Sequence, residues 1–315
     1  MVVNIRRLAI LVVLTAVLFL GAGLVALSYV DVGLTDMVST EEVPLSVPDL
    51  SIVPQSVADD AVKLAQGLFG DYPEKYNHYV SQLLAAYVEA RDKDIVVLFN
   101  SGGWGWNLLA SSPGWQSICE GIESELTSLG YRSLWLDFRR TEETFRGVVK
   151  EFVEVFAAYP SKAENLACRV NFLTAHLPEL KVIITGESNG TVISDRVMNI
   201  LRDNPRVYSI QTGTPFWHRN VMLDRTLVLN YNGITPDTFS QGDIPTMVWA
   251  SLKALFGFSS PEKEAPGRIF YFMRAPGHDY RWQYPDVYSQ ITRFLEENFG
   301  LNKDSKNANK SGDGL

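Results

Sequence analysis

Val182-Ile183-Ile184-Thr185-Gly186-Glu187-Ser188-Asn189-Gly190-Thr191 joins an apolar, β-branched run to a Gly-x-Ser-x-Gly pentapeptide. It opens into Thr191–Leu201, where apolar residues recur at helical spacing. The pentapeptide alone arises by chance about 0.1 times in a chain of this length, so it is weak by itself. Its setting raises it. In a strand–turn–helix junction the two glycines let the strand and helix backbones come close, and the sharp turn pushes Ser188 Oγ up at the end of the strand. The helix N-terminus beneath favours developing negative charge. A glycine-rich phosphate turn or an ordinary strand–helix loop is the plainer alternative.

Outward from this stretch, strand and helix patterns alternate. Ile95-Val96-Val97-Leu98-Phe99 is a continuous apolar run suited to a strand buried on both faces. Trp115, Ile118, Cys119, Ile122, Leu126 and Leu129 recur at helical spacing, with Gly130 placed as a C-terminal cap. Further strands are expected at Ser133–Asp137, Val207–Gln211, Leu227–Asn230 and Ile269–Phe272, and helices at Phe145–Ala157, Ser161–His176 and Pro285–Phe299. Such alternation predicts an α/β fold with a mostly parallel central sheet flanked by helices.

The ends differ from this middle. About 23 uncharged residues from Leu8 to Val30 span roughly 34 Å as helix, enough to cross a bilayer core. Arg6 and Arg7 precede them and Asp31 and Asp36 follow, which places the rest of the chain on the non-cytoplasmic side. The run reads as an uncleaved signal-anchor, the alternative being a signal cleaved after Ala26-Leu27-Ser28 and a secreted domain. Residues 31–57, with Pro44, Pro48 and Pro54, read as an extended tether. A domain then covers 58–300, its first part, 58–92, a helical extension. The polar tail 301–315 is expected to be disordered.

Composition narrows the function. The 315 residues carry 28 Lys+Arg against 36 Asp+Glu, a net charge of −8, which gives nucleic-acid phosphates nothing to neutralise. Two cysteines and four scattered histidines offer neither a disulfide framework nor a zinc site, so no metal is expected.

A serine nucleophile needs a base and an oxyanion hole. His278 lies in Arg274-Ala275-Pro276-Gly277-His278-Asp279-Tyr280, between the last expected strand and the last helix. The other histidines have blander placements: His176 ends a helix, His78 starts a surface helix, and His218 lies in Phe216-Trp217-His218-Arg219, where it could line a pocket. For the oxyanion, Asn189 offers the N–H that follows the serine. The turn Asn100-Ser101-Gly102-Gly103-Trp104-Gly105 offers a second, from Gly103 or Trp104. A plain turn with aromatic anchors is the alternative there.

Ser188 in its pentapeptide, the Ser101–Gly105 turn after an earlier strand, and His278 before the last helix together resemble the α/β-hydrolase fold family, over about Lys93–Phe299. The resemblance implies an eight-stranded, mostly parallel sheet, here shortened at its antiparallel edge because Ser56–Ala90 is helical. It implies the chain order Ser…Asp…His, and it places the helices of Cys119 and Cys168 on opposite faces, with no disulfide between them. The acid is then sought between Leu227–Asn230 and His278. Asp237 is favoured over Asp243, whose alternative task is capping a helix, while Asp279 is too close in sequence to face the ring. The implied activity is hydrolysis of small-molecule or lipid-like carboxylic esters through an acyl-enzyme, without a cofactor. A thioesterase, amidase or acyltransferase on the same triad, and a non-catalytic envelope binding protein, are the alternatives. Trp104–Leu109, Pro215–Trp217 and Met247–Phe258 are apolar stretches that could wall an acyl pocket, or pack as ordinary core.

Overall fold

The computed structural model describes residues 35–39, 50–70, 72–221, 223–258, 267–270 and 273–300. The apolar segment Leu8–Val30 and the tail 301–315 lie outside these residues. Among the described residues no helix is long and apolar enough to cross a membrane.

A mixed α/β fold results. Six strands form one sheet: β1 (Asp36–Ser39), β2 (Ile95–Asn100), β3 (Ser133–Arg139), β4 (Lys181–Glu187), β5 (Val207–Thr212) and β6 (Thr226–Leu229), in the order β1-β3-β2-β4-β5-β6. β2 through β6 pair in parallel, and β1 runs antiparallel along the edge of β3. The unbroken apolar run of β2 is buried at every position because both faces are covered. Its side chains alternate between two cores. Val96 and Leu98 join the core built with α1 (Gln55–Phe69), α2 (Pro73–Ala90), α5 (Pro160–His176) and α6 (Asn189–Ile200). Ile95, Val97 and Phe99 join the core built with α3 (Pro113–Ser128) and α9 (Pro285–Phe299). Cys119 on α3 and Cys168 on α5 therefore sit on opposite sides of the sheet, as free thiols.

Two expectations change. Asp36–Ser39, inside the stretch read as a tether, is a strand, in register Asp36↔Arg139 through Ser39↔Leu136. Four residues are too few for alternation to be seen in sequence. Long-range contacts hold the segment instead: Thr35 Oγ1 donates to Asn165 Oδ1 at 2.8 Å, and Arg169 Nη2 donates to Thr35 O at 2.8 Å. The helices of 58–92, read as the first part of the domain, bury Ala61, Ala65, Tyr79 and Leu83 in the first core. Second, the described residues of the strand expected at Ile269–Phe272 do not join the sheet. β7 (Arg268–Phe270) pairs with β8 (Met273–Arg274) as a separate antiparallel hairpin. An apolar run shows that a strand is buried without showing which strand it pairs with. Here the partner side is taken by α8 (Ile244–Leu255), whose Ser251 Oγ accepts from the Arg274 amide at 2.9 Å.

Candidate active site

From β2 the chain crosses to β3 on one side, and from β4 to β5 on the other, so the order reverses between β2 and β4. Open α/β sheets bind ligands in the crevice at the carboxyl ends of strands at such a point. Both glycine-containing turns lie there, because Asn100 at the end of β2 is paired with Gly186 at the end of β4.

Ser188 is the N-cap of α6, with φ 50° and ψ −120°. Few residues other than glycine accept this backbone, and it is held here from several sides. The Ser188 amide donates to Thr212 O, at the end of β5, at 2.9 Å. A side chain at Gly190 would run into the Asn100 carbonyl, and one at Gly186 into Thr191 and Ser194 Oγ. Both glycines of the pentapeptide are thus demanded by close packing of α6 on the strand ends.

His278 and Asp237 meet. His278 Nδ1 lies 2.9 Å from Asp237 Oδ2, with both side chains buried. Asp237 caps the short helix α7 (Thr238–Gln241), its Oδ1 accepting from the Phe239 and Ser240 amides at 2.9 and 3.1 Å. Its Oδ2 also accepts from the hydroxyls of Tyr280, at 2.8 Å, and Ser240, at 2.9 Å. Burial pushes this carboxyl up, but the hydrogen bond and charge of His278, with Tyr280 and the Ser240 amide, outweigh it and hold it below its ordinary value. Asp237 is therefore an anion that only accepts. That places a proton on His278 Nδ1 and leaves Nε2 as the basic nitrogen of the neutral ring. Phe239 packs edge-on against the imidazole at 4.9 Å, and Gly213, the residue after Thr212, backs it.

Among the described residues no hydrogen bond joins Ser188 to His278. Their proximity is carried by the Thr212-Gly213 pair, which touches Ser188 through one residue and His278 through the next. Catalytic hydrogen bonds are commonly loose before substrate binds.

The Ser101–Gly105 turn lies against the serine, for a Cβ on Gly102 would be 3.3 Å from Ser188 Cβ. Gly102 N–H is taken by Glu187 Oε2 at 3.3 Å, and Gly105 N–H by Gly102 O at 3.3 Å. Gly103 N–H has no acceptor among the described residues. Asn189 is the first residue of α6, where an amide has no helical carbonyl to bond. Burial pushes the Glu187 carboxyl up, against the Gly102 amide and the charge of His278, which pull it down. Three buried polar atoms flanking these elements, Ser101 Oγ, Asn189 Oδ1 and Thr214 Oγ1, find no partner among the described residues.

The remaining candidates go elsewhere. Asp243 caps α8, accepting from the Thr246 amide at 3.2 Å. Asp279 binds the Tyr284 hydroxyl at 2.7 Å and Arg281 Nε at 3.1 Å. His218 Nε2 is 2.9 Å from Asp195 Oδ2, whose other oxygen accepts from the Val221 amide at 2.8 Å, so this pair fastens the segment after β5 to α6. His78 pairs with Asp36 at 2.7 Å and His176 with Asp60 at 3.5 Å. Of the Met247–Phe258 stretch, Met247 and Ala250 are buried, whereas Val248, Trp249, Leu252 and Leu255 are exposed. Phe216 and Trp217 are half exposed and pack on Phe239, which links them to His278.

Sequence reasoning missed Tyr280, Glu187 and Arg140. Tyr280 and Glu187 each stand within two residues of a candidate catalytic side chain, and Arg140 directly follows the carboxyl end of β3, where functional groups gather.

No family model matches the sequence, and no curated protein matches it. Among solved structures, the chain is similar to a Trichoderma reesei cutinase in complex with a C11Y4 phosphonate inhibitor, at 13% identity over 79% of this chain and 94% of that chain, with a TM-score of 0.39.

Proposed function

We propose that this protein is a serine hydrolase of the α/β-hydrolase type that cleaves carboxylic esters, tethered to a membrane by Leu8–Val30 with its catalytic domain on the non-cytoplasmic side. The observation behind this reading is the strained Ser188 at the sheet's switch point, one strand end away from a buried Asp237–His278 pair. Ser188 Oγ attacks the ester carbonyl while His278 Nε2 takes its proton, and Asp237 stabilises the resulting imidazolium. The tetrahedral oxyanion is met by the Asn189 N–H and by Gly103 or Trp104 N–H. Collapse expels the alcohol, which takes the proton back from His278. Water then repeats the sequence on the acyl-enzyme. Phe216 and Trp217 pack on Phe239, which lies against His278, and this apolar group suits an acyl chain. Nothing in this cycle calls for a metal or organic cofactor.

Fluorophosphonate labelling of the full-length protein in detergent, beside Ser188→Ala, tests the reading. Labelling of the native serine only is expected, followed by turnover of p-nitrophenyl esters. Equal labelling of both proteins, or of neither, would overturn it.

A further inference from the structure

Arg140 is completely buried and makes no use of its charge at the surface. Its Nη1 donates to Ser101 O at 2.5 Å, its Nη2 to Gly103 O at 2.9 Å, and its own amide to Gly105 O at 3.0 Å. Behind it, Nε donates to Glu151 Oε1 at 2.8 Å, and Glu151 Oε2 accepts from the Thr141 hydroxyl at 2.5 Å. The Tyr159 ring lies 5.4 Å from the guanidinium carbon. One side chain therefore ties the Ser101–Gly105 turn to α4 (Phe145–Phe156), at two carbonyls separated by a single residue.

We infer that Arg140, held by Glu151, is a positioning residue that fixes the Ser101–Gly105 turn in the orientation the oxyanion requires. This rests on the hydrolase reading above. A trans peptide is planar, with its C=O and N–H pointing in opposite directions. Drawing the Gly103 carbonyl toward Arg140, a carbonyl that also accepts from Asn189 Nδ2 at 3.3 Å, turns the Trp104 N–H the other way. Drawing the Ser101 carbonyl inward likewise aims the Gly102 N–H outward, and that N–H points at Glu187, the neighbour of Ser188. The turn is thus gripped by the guanidinium on one side and by Glu187 and Asn189, the neighbours of Ser188, on the other. Arg140 is sealed from solvent and so from substrate, which makes its action indirect.

A purely structural ion pair would be an extravagant way to fill this space. Buried pairs are often no more stabilising than apolar side chains of similar volume, whereas a planar fork sets two acceptors at fixed spacing. That difference supplies the test. In Arg140→Met/Glu151→Leu neither charge is left unpaired, so folding is expected to survive. Arg140→Lys keeps a cation opposite Glu151 but loses the fork. Steady-state turnover of a p-nitrophenyl ester and inhibition by an alkylboronic acid, which forms a tetrahedral adduct on the serine, are measured on full-length proteins together with thermal midpoints.

The expected result is a kcat about 100-fold below native, the loss associated with one oxyanion donor, with KM little changed and boronate inhibition weakened by a similar factor. If either variant folds and keeps kcat and boronate affinity within about threefold of native, the inference is overturned. The same holds for a rise in KM alone. Should the native protein neither label with fluorophosphonate nor turn over ester, the hydrolase reading falls and takes this inference with it. Native labelling with undiminished variants removes the inference alone.

Discussion

Tyr280 gives its hydroxyl hydrogen to Asp237 Oδ2 at 2.8 Å, the same carboxylate oxygen that faces His278 Nδ1 at 2.9 Å. Burial and the adjacent Asp237 charge push the phenol well above its ordinary range, so it stays a donor at any working pH. The phenol, the Ser240 hydroxyl and the two α7 amides fix the carboxylate in the plane it presents to the imidazole.

Asp237→Asn should lower kcat by about 10⁴-fold, because an amide nitrogen facing Nδ1 inverts the tautomer. Tyr280→Phe should cost about tenfold, since the carboxylate keeps its other donors while losing a charge-assisted hydrogen bond. Asp243→Ala removes only a helix cap and should lower stability by about 1 kcal/mol with near-native turnover. Turnover and thermal midpoint of the three variants check this. A collapse at Asp243 with activity retained at Asp237 would reverse the assignment.

Gly213 adopts φ +67°, and a Cβ there would stand 2.6 Å from His278 Cε1. Gly213→Ala must therefore displace the imidazole from the Thr212 strand end, and a displacement near 1 Å costs about 10²-fold in rate. Steady-state kinetics should show the loss in kcat, with Asp237→Asn/Gly213→Ala little worse than Asp237→Asn alone. Additive losses in the double variant would mean that Gly213 acts elsewhere.

Much of this arrangement was legible in the chain itself. The β2 and β4 runs and the glycines on either side of Ser188 carry local signals, continuous apolar stretches and a fixed spacing, and His278 stands between the last expected strand and the last helix. What stayed hidden depends on distant partners. β1 exists because β3 offers a free edge and Arg169 holds Thr35, 134 positions away. Arg140 finds its partners 37 to 39 residues back and 11 ahead, and no periodicity reports such a pairing. The β7–β8 hairpin shows the converse, since its apolar sequence was read as one more member of the parallel sheet.

Asp137, buried in β3, accepts from the Leu109 amide at 2.8 Å, and burial raises its carboxyl from 3.8 to about 6 despite that bond. Between about pH 4 and 6 the folded chain holds a proton that the unfolded chain has lost, so this group's contribution to stability falls as pH rises through the window. Asp137→Asn keeps an oxygen for the Leu109 amide and removes the titration. Relative to native, the variant should gain stability as pH rises from 4, levelling above 6 at on the order of 3 kcal/mol. Denaturant melts across that range check the prediction, and a difference that does not vary with pH would refute it.

Ser188 supplies the last test, because its backbone and its side chain pull in opposite directions. A non-glycine residue at φ 50° and ψ −120° carries strain of about 1–3 kcal/mol. Among the described residues its hydroxyl makes no hydrogen bond that would repay that strain. Ser188→Gly relieves it while adding freedom to the unfolded chain, an opposing term of about 0.4–1 kcal/mol. The net expectation is a protein more stable by about 1 kcal/mol and devoid of esterase activity. Ser188→Ala should be equally inactive but close to native in stability, since alanine keeps the strain. Chemical denaturation of the three proteins separates the two contributions. If Ser188→Gly is no more stable than Ser188→Ala, the turn at Ser188 holds no strain and its geometry is set by the packing of Gly186 and Gly190 alone.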